Sequence, residues 1–349
     1  MSASPQAAPA AFLRTAPKVL LHEHLDGGLR PETLFELCVS RGIEMPAKTP
    51  DALARWMHDN ANSGSLVRYL RGFVITVAAM AGAEACERIA FEAAEDARVD
   101  GCVLAEFRMA PLLLEEHGMS GEAVIEAVLA GLARSPLACG LIVCGMRPDP
   151  PERVRRAAEL AVRYRDQGVV GFDLAGAELG YSAAVHADSF ALARDAGLGL
   201  TCHAGEAGGG EYVMEAADLG VSRIGHGIHV VRGSSEQETA EWVARARDLG
   251  LHFEVCPTSN VHTGAVKSLE VHPIREMIDA GLSVSCSTDN RLMSSVTLTD
   301  ELEDLHACTG LTYRQIGDLM NAAVGASFLS REKREAAAAE LARGWSAVS

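Results

Sequence analysis

Short apolar runs rich in Val, Ile and Leu alternate with longer amphipathic stretches rich in Ala and Glu along most of the chain. That alternation is the mark of βα units around a parallel sheet. The runs predict strands at Val19–His24, Cys102–Arg108, Leu141–Arg147, Val169–Leu174, Gly199–His203, Arg223–His226, Leu251–Cys256 and Ser283–Thr288. Helices are predicted between them, among others at Pro151–Gln167, Ser189–Ala196, Glu236–Leu249 and Pro273–Ala280. Pro151 suits a first helical position, where its missing N–H is no loss. Gly197, Gly250 and Gly281 each follow a helix, where glycine accepts the left-handed backbone that ends it. The stretch between the first two strands is too long for one helix. Helical signals at Pro31–Ser40, Ser65–Ala79 and Glu84–Val99 make it a helical excursion. Closing helices follow the last strand at Asp300–His306, Thr312–Ala322 and Arg331–Ala342. The expected fold class is α/β, a (β/α)8 TIM barrel, with residues 1–15 a flexible segment and 16–349 one barrel domain. A doubly wound open sheet is the competing arrangement, but the first βα turn lacks its GxGxxG fingerprint.

Composition fits a packed protein: 48% hydrophobic and 22% charged residues in 349 allow a sizeable core. The net charge of -16 repels phosphate backbones and anionic headgroups, so neither nucleic acid nor a membrane surface is an expected partner. No apolar run reaches the roughly 18 residues of a membrane span. Met1 to Ala11 shows no basic stretch followed by an apolar one, as a secretory signal would. Nine cysteines in no regular framework read as reduced thiols, which points to the cytoplasm. The oligomeric state is left open.

In a barrel of this kind, function gathers at the carboxyl ends of the strands. There the sequence sets His22 and His24, His203 and Glu206, His226, and Asp289. Residues i and i+2 of a strand project to one face, so His22 and His24 can grip a single ion. Each piece alone has a plainer explanation: a backbone-satisfied turn histidine in Gly225-His226-Gly227, or a helix N-cap in Ser287-Thr288-Asp289. Their joint placement at separate strand ends is what points to one divalent metal ion, expected to be zinc. The inventory also limits the metal count. Lys18, Lys48, Lys267 and Lys333 are the only lysines, and none ends the fourth strand, where a bridging carboxylated lysine would stand. A mononuclear site with three histidines, one aspartate and an open position for water is favoured. No Pro-Cys-x-x-Cys element is present, which excludes a cytidine-deaminase type of zinc site. His229 and His262 follow strands six and seven close to the mouth; His58, His117, His186, His252, His272 and His306 suit surface or core roles.

These pieces resemble the adenosine deaminase family of the metal-dependent amidohydrolase barrels. The matching segments are Pro17 to Gly27, Asp173-Leu174-Ala175-Gly176, His203-Ala204-Gly205-Glu206, Gly225-His226-Gly227 and Ser287-Thr288-Asp289, in family order over almost the whole chain. The resemblance implies His22, His24, His203 and Asp289 as metal ligands. It implies Glu206 as the acid that protonates purine N1, and His226 as the residue that orients or deprotonates the attacking water. It gives Asp26 to the ribose 5′-hydroxyl and the Gly176 N–H to N3. Leu66, Tyr69, Leu70 and Phe73 resemble an apolar lid, although their spacing equally suits a helix packed into the core. One position departs from the pattern. Asn290 stands where the family commonly has a second aspartate facing N7, followed here by Arg291 rather than proline. An amide donates a hydrogen bond at any pH, so purine recognition is expected to survive.

The implied activity is hydrolytic deamination of adenosine and 2′-deoxyadenosine, a small-molecule nucleoside substrate. Alternatives are free adenine or a 5′-modified adenosine such as aminodeoxyfutalosine, an ester or amide hydrolase on the same barrel, and a non-catalytic nucleoside-binding protein. The chemistry agrees independently. A divalent metal lowers the pKa of bound water to about 7, and an acid beside the ring nitrogen typically contributes about 10²–10⁴-fold.

Overall fold

The computed structural model describes residues 11–346 and residue 348. Eight parallel strands follow one another in sequence order around the sheet. They are β1 (Lys18–His24), β2 (Cys102–Met109), β3 (Ala138–Met146), β4 (Val169–Ala175), β5 (Gly199–Ala204), β6 (Arg223–His226), β7 (His252–Val255) and β8 (Ser283–Cys286). Helices stand between the strands, and together they make the α/β barrel that the alternating pattern predicts. Adjacent strands pair in parallel from β1 through β8. The ring closes through two backbone bonds at the carboxyl end of β1: His24 N–H to Asp289 O at 2.7 Å and Asp289 N–H to His22 O at 2.9 Å. The closing seam therefore runs through three residues expected to hold the metal.

Local chemistry explains the helix boundaries. Pro31, Pro50 and Pro151 each stand at the start of a helix, and Thr297 and Thr312 form capping boxes with Asp300 and Gln315. Gly197, Gly250 and Gly281 have φ of +82°, +65° and +73°. The excursion between β1 and β2 holds a helix the apolar pattern did not single out, Pro50–Ala61. The predicted helix at Ser65–Ala79 is broken into Leu66–Tyr69, a tight turn at Leu70–Gly72, and Phe73–Met80. Gly72 is closely packed at the break: a methyl group there would lie 3.0 Å from the Met293 thioether. Of the segment 1–15, residues 1–10 lie outside the described residues, and Phe12–Thr15 form a helical turn. Phe12 anchors that turn, its ring edge-on to Tyr313 at 5.6 Å and to Trp345 at 5.1 Å.

The inside of the barrel is polar where layers of branched apolar side chains are usual. Glu106, Arg108, Asp173, Thr201, Arg223 and Glu254 are fully buried there. Arg108 bonds Asp173 at 2.8 Å and Glu254 at 2.5 Å; Arg223 bonds Glu254 at 2.5 Å and Glu106 at 2.6 Å. No single helix among the described residues is long and apolar enough to cross a membrane.

Candidate active site

At the carboxyl ends of the strands, His22 and His24 from β1, His203 from β5 and Asp289 after β8 turn their ligand atoms to one point, all within 4.8 Å of one another. His22 Nδ1 meets Glu254 at 2.8 Å and His203 Nδ1 meets Asp173 at 3.0 Å. A carboxylate only accepts, so each ring carries a proton on Nδ1 and turns Nε2 to the centre. His22 Nε2 faces Asp289 Oδ1 at 3.3 Å and has no hydrogen-bond partner. Against burial and Arg108, the Asp289 and Glu254 carboxylates raise the His22 pKa, so this position favours positive charge, a proton or a cation. The spacings agree with one ion: His24 Nε2 lies 3.1 Å from His203 Nε2 and 3.5 Å from Asp289 Oδ1. Neighbouring ligands on a tetrahedral ion with bonds of 2.0–2.1 Å stand about 3.3–3.4 Å apart. The four residues fit a divalent metal.

The carboxylates behind the ligands stay ionised. Burial alone would raise Asp173, but the His203 ring that donates to it and the Arg108 guanidinium outweigh it and hold it well below the usual range. Glu254 is likewise held low, against its burial, by Arg108 and Arg223. Asp289 and His226 both sit at φ of +61°, a conformation uncommon outside glycine. Asp289 is therefore no helix cap; Asn290 occupies the cap position of Arg291–Ser294, without a side-chain bond.

His226 is oriented from behind by a chain of bonds whose polarity can be read. The backbone N–H of Ile274 can only donate, and it meets His272 Nδ1 at 3.1 Å. His272 therefore carries its proton on Nε2, which donates to Asn260 Oδ1 at 3.2 Å. The Asn260 amide in turn donates to His226 Nδ1 at 3.0 Å. Burial pushes His226 well below the usual imidazole value, so it is neutral. Its one proton then sits on Nε2, 3.7 Å from Glu206 Oε2. Glu206 is buried, its Oε1 is unpartnered, and burial with the Asp289 and Glu178 charges beside it pushes its carboxyl up to about 8.

The centre opens into a cavity of about 290 Å³. Asp26, Gly176, Glu206, His226 and Asn290 all line it, as do Leu66, Tyr69, Leu70 and Phe73 from the broken helix. Asn290 packs so closely on Gly27 that a methyl group there would lie 1.7 Å from Oδ1. Two histidines depart from expectation. His117 lines the cavity beside Glu116, while His262 stacks edge-on against His58 at 5.0 Å. His229 is tied through Nδ1 to Gly205 O at 3.2 Å. Ala110 joins Cys144 and Ala175 in a wall of small side chains.

The profile of the family described as Adenosine deaminase matches residues 17–343. The chain belongs to the adenosine deaminase family. An adenosine deaminase from Mycobacterium sp. (strain JLS) is 42% identical over 335 residues, covering 91% of this chain and 92% of that protein. Among solved structures, the adenine deaminase from Arthrobacter aurescens superposes with a TM-score of 0.86 at 25% identity, covering 94% of this chain and 99% of that one. The Arabidopsis N6-mAMP deaminase superposes at 0.83 with 25% identity, over 95% and 99% of the two chains. As a member of the adenosine deaminase family the chain is an aminohydrolase, and its histidine–aspartate cluster is a metal site in composition and spacing.

The sequence gives several residues of this site no such role: Asp173 stands only within a matching segment, and His272 only among surface or core histidines. Asp173 and Glu254 orient two ligands, Asn260 and His272 set the His226 proton, and Glu178 accepts from the backbone beside Glu206. Glu254 did carry a signal: a lone carboxylate inside the apolar run Leu251–Cys256.

Proposed function

We propose that the chain deaminates adenosine and 2′-deoxyadenosine hydrolytically, giving inosine or 2′-deoxyinosine and ammonia, as one unit over residues 16–349 with a zinc ion on His22, His24, His203 and Asp289. The observation that carries this reading is Glu206, a buried carboxyl protonated at neutral pH and unpartnered at Oε1, beside a site suited to a metal. When bound, zinc supplies a water acidified to a pKa of about 7.

Glu206 gives its proton to purine N1 as C6 becomes tetrahedral, which neutralises the charge that would build up on the ring. The Nε2–H of His226 donates to the oxygen that attacks C6 and so orients it. With its proton already on Nε2, His226 is a donor in the resting site and not a base. The proton on the attacking oxygen passes to the C6 amino group, the C6–N bond breaks, the amine leaves as ammonia, and C6 keeps the oxygen as a carbonyl beside the protonated N1. The Gly176 N–H serves N3, and the amide of Asn290 serves N7. Asp26 is buried with Oδ1 unpartnered, a setting for the ribose 5′-hydroxyl. Leu66, Leu70 and Phe73 exclude water above the ring.

The rim also argues for substrate class. Asp26 and Glu116 line the cavity, and no Lys or Arg does among the described residues. A nucleoside suits this wall better than a nucleotide. Free adenine is the second reading, favoured by the Arthrobacter neighbour; it would leave Asp26 without a partner. Nine free thiols, seven of them buried, suit the reducing cytoplasm.

Ammonia release from adenosine, deoxyadenosine, adenine, AMP, methylthioadenosine and aminodeoxyfutalosine tests the reading. Turnover of adenosine and deoxyadenosine above the others is expected. No turnover of any of them refutes deamination, and turnover of adenine alone refutes the role given to Asp26. Glu206→Gln should keep its metal and lose activity, while His203→Ala should lose the metal; equal metal content in the two contradicts the division of roles.

A further inference from the structure

Glu178 lies in the loop after β4, two residues beyond Gly176, and is 4% exposed. Its carboxylate accepts from four consecutive backbone N–H groups in the loop after β5. Gly205 donates to Oε1 at 2.5 Å; Glu206, Ala207 and Gly208 donate to Oε2 at 3.1, 2.8 and 2.7 Å. Successive N–H groups turned to one side form a concave nest for an anion. Bonds to an ionised acceptor are among the stronger ones in proteins. The nest here is filled by a side chain of the neighbouring loop, so the two loops are clamped together. Arg147 adds a second tie nearby, donating to His203 O at the end of β5 and, at 3.2 Å, to Tyr181 O in the loop after β4.

The clamp joins two groups that must act on one ring. Gly176 presents the N–H given to N3, and Glu206 the proton given to N1; these ring atoms are separated by a single carbon. We infer that Glu178 is a positioning residue that fixes the distance between the Gly176 N–H and the Glu206 carboxyl, so that both meet the six-membered ring together. This rests on the deaminase reading above. Glu178 touches neither substrate nor metal in that reading; it acts through the backbone of residues 205–208.

The test compares the wild-type chain with Glu178→Gln and Glu178→Asp. Glutamine keeps the shape but replaces one oxygen by an NH₂, which sets donor against donor in the nest. Glu178→Gln is expected to lose about 10²-fold in kcat for adenosine, the scale set by a displacement of about 1 Å, with its metal content unchanged. The preference for adenosine over 3-deazaadenosine, which lacks the N3 acceptor, should shrink toward unity. Glu178→Asp keeps both oxygens and the charge, and is expected to restore part of both readings; these stand as the test should Glu178→Gln fail to fold. Hydrogen exchange gives a readout independent of turnover: the amides of residues 205–208 are protected in the wild type and lose protection in Glu178→Gln. Wild-type kcat and 3-deaza discrimination in a folded Glu178→Gln overturn the inference, as does unchanged exchange at those amides. If the wild type deaminates no adenosine, the functional reading fails, and exchange alone still decides whether Glu178 holds the loop.

Discussion

Asp26 Oδ1 and Glu206 Oε1 are buried carboxyl oxygens without a hydrogen-bond partner, and both residues line the same cavity. Leaving a buried polar group unpaired costs about 1–3 kcal/mol. Two such oxygens at one cavity suit a ligand that brings the missing partners. The pH profile follows from the same residues. Glu206 is raised to about 8, so it is protonated below that value and ionised above it. We expect kcat/KM for adenosine to fall about tenfold per pH unit above the limb that this group sets. In Glu206→Gln, residual activity about 10²–10⁴-fold lower should show no such limb. A limb that survives in Glu206→Gln assigns it to another group. At this scale the sequence was informative where motif residues touch the expected ligand, as with His22, His24, His203 and Asp289. It was silent on Glu178, because its partners are backbone N–H groups, which leave no trace in residue identity.

Strand positions were legible in the sequence because buried parallel strands must be short and apolar and must end in turns. Arg223–His226 matches β6 residue for residue, and Val169–Leu174 falls one residue short of β4. The break at Leu70–Gly72 was not legible, since Leu66, Tyr69, Leu70 and Phe73 keep helical spacing whether the helix is whole or broken. Gly72 packs there against Met293, a residue distant in sequence, and no local spacing announces that contact. This element is expected to act through apolar contact alone. Leu70→Ala should raise KM for adenosine about tenfold, near 1.4 kcal/mol for loss of part of a half-buried leucine's contact with the ligand, and leave kcat within about twofold. A fall in kcat with KM unchanged contradicts a lid that binds ground state and transition state alike.

Across the whole molecule, the closing helices are fastened to the barrel through a buried acid. Glu301, in the helix Leu298–Thr309, faces the Thr258 N–H at 3.3 Å, and burial raises its carboxyl from the usual 4.5 to about 8. Between those two values the folded chain holds a proton that the unfolded chain has released. This group's contribution is complete below about pH 4.5 and is lost as pH rises through about 8. Its share of the slope reaches about 1.4 kcal/mol per pH unit within that window. Glu301→Gln should flatten the fall in thermal midpoint between pH 5 and 8; an unchanged profile places the linkage elsewhere.

The closing seam has a consequence for how the protein is made. His24 donates its backbone N–H to Asp289, and Asp289 donates its own to His22, where the first strand meets the segment after the last; the same residues offer ligand atoms. On the ribosome, His22 and His24 emerge early, whereas Asp289 appears only after the eighth strand has been synthesised. A nascent chain cannot offer the four-ligand site until nearly all of it has been translated. The complete set of four ligand residues is thereby deferred to the finished barrel, and a prematurely terminated chain lacks its aspartate.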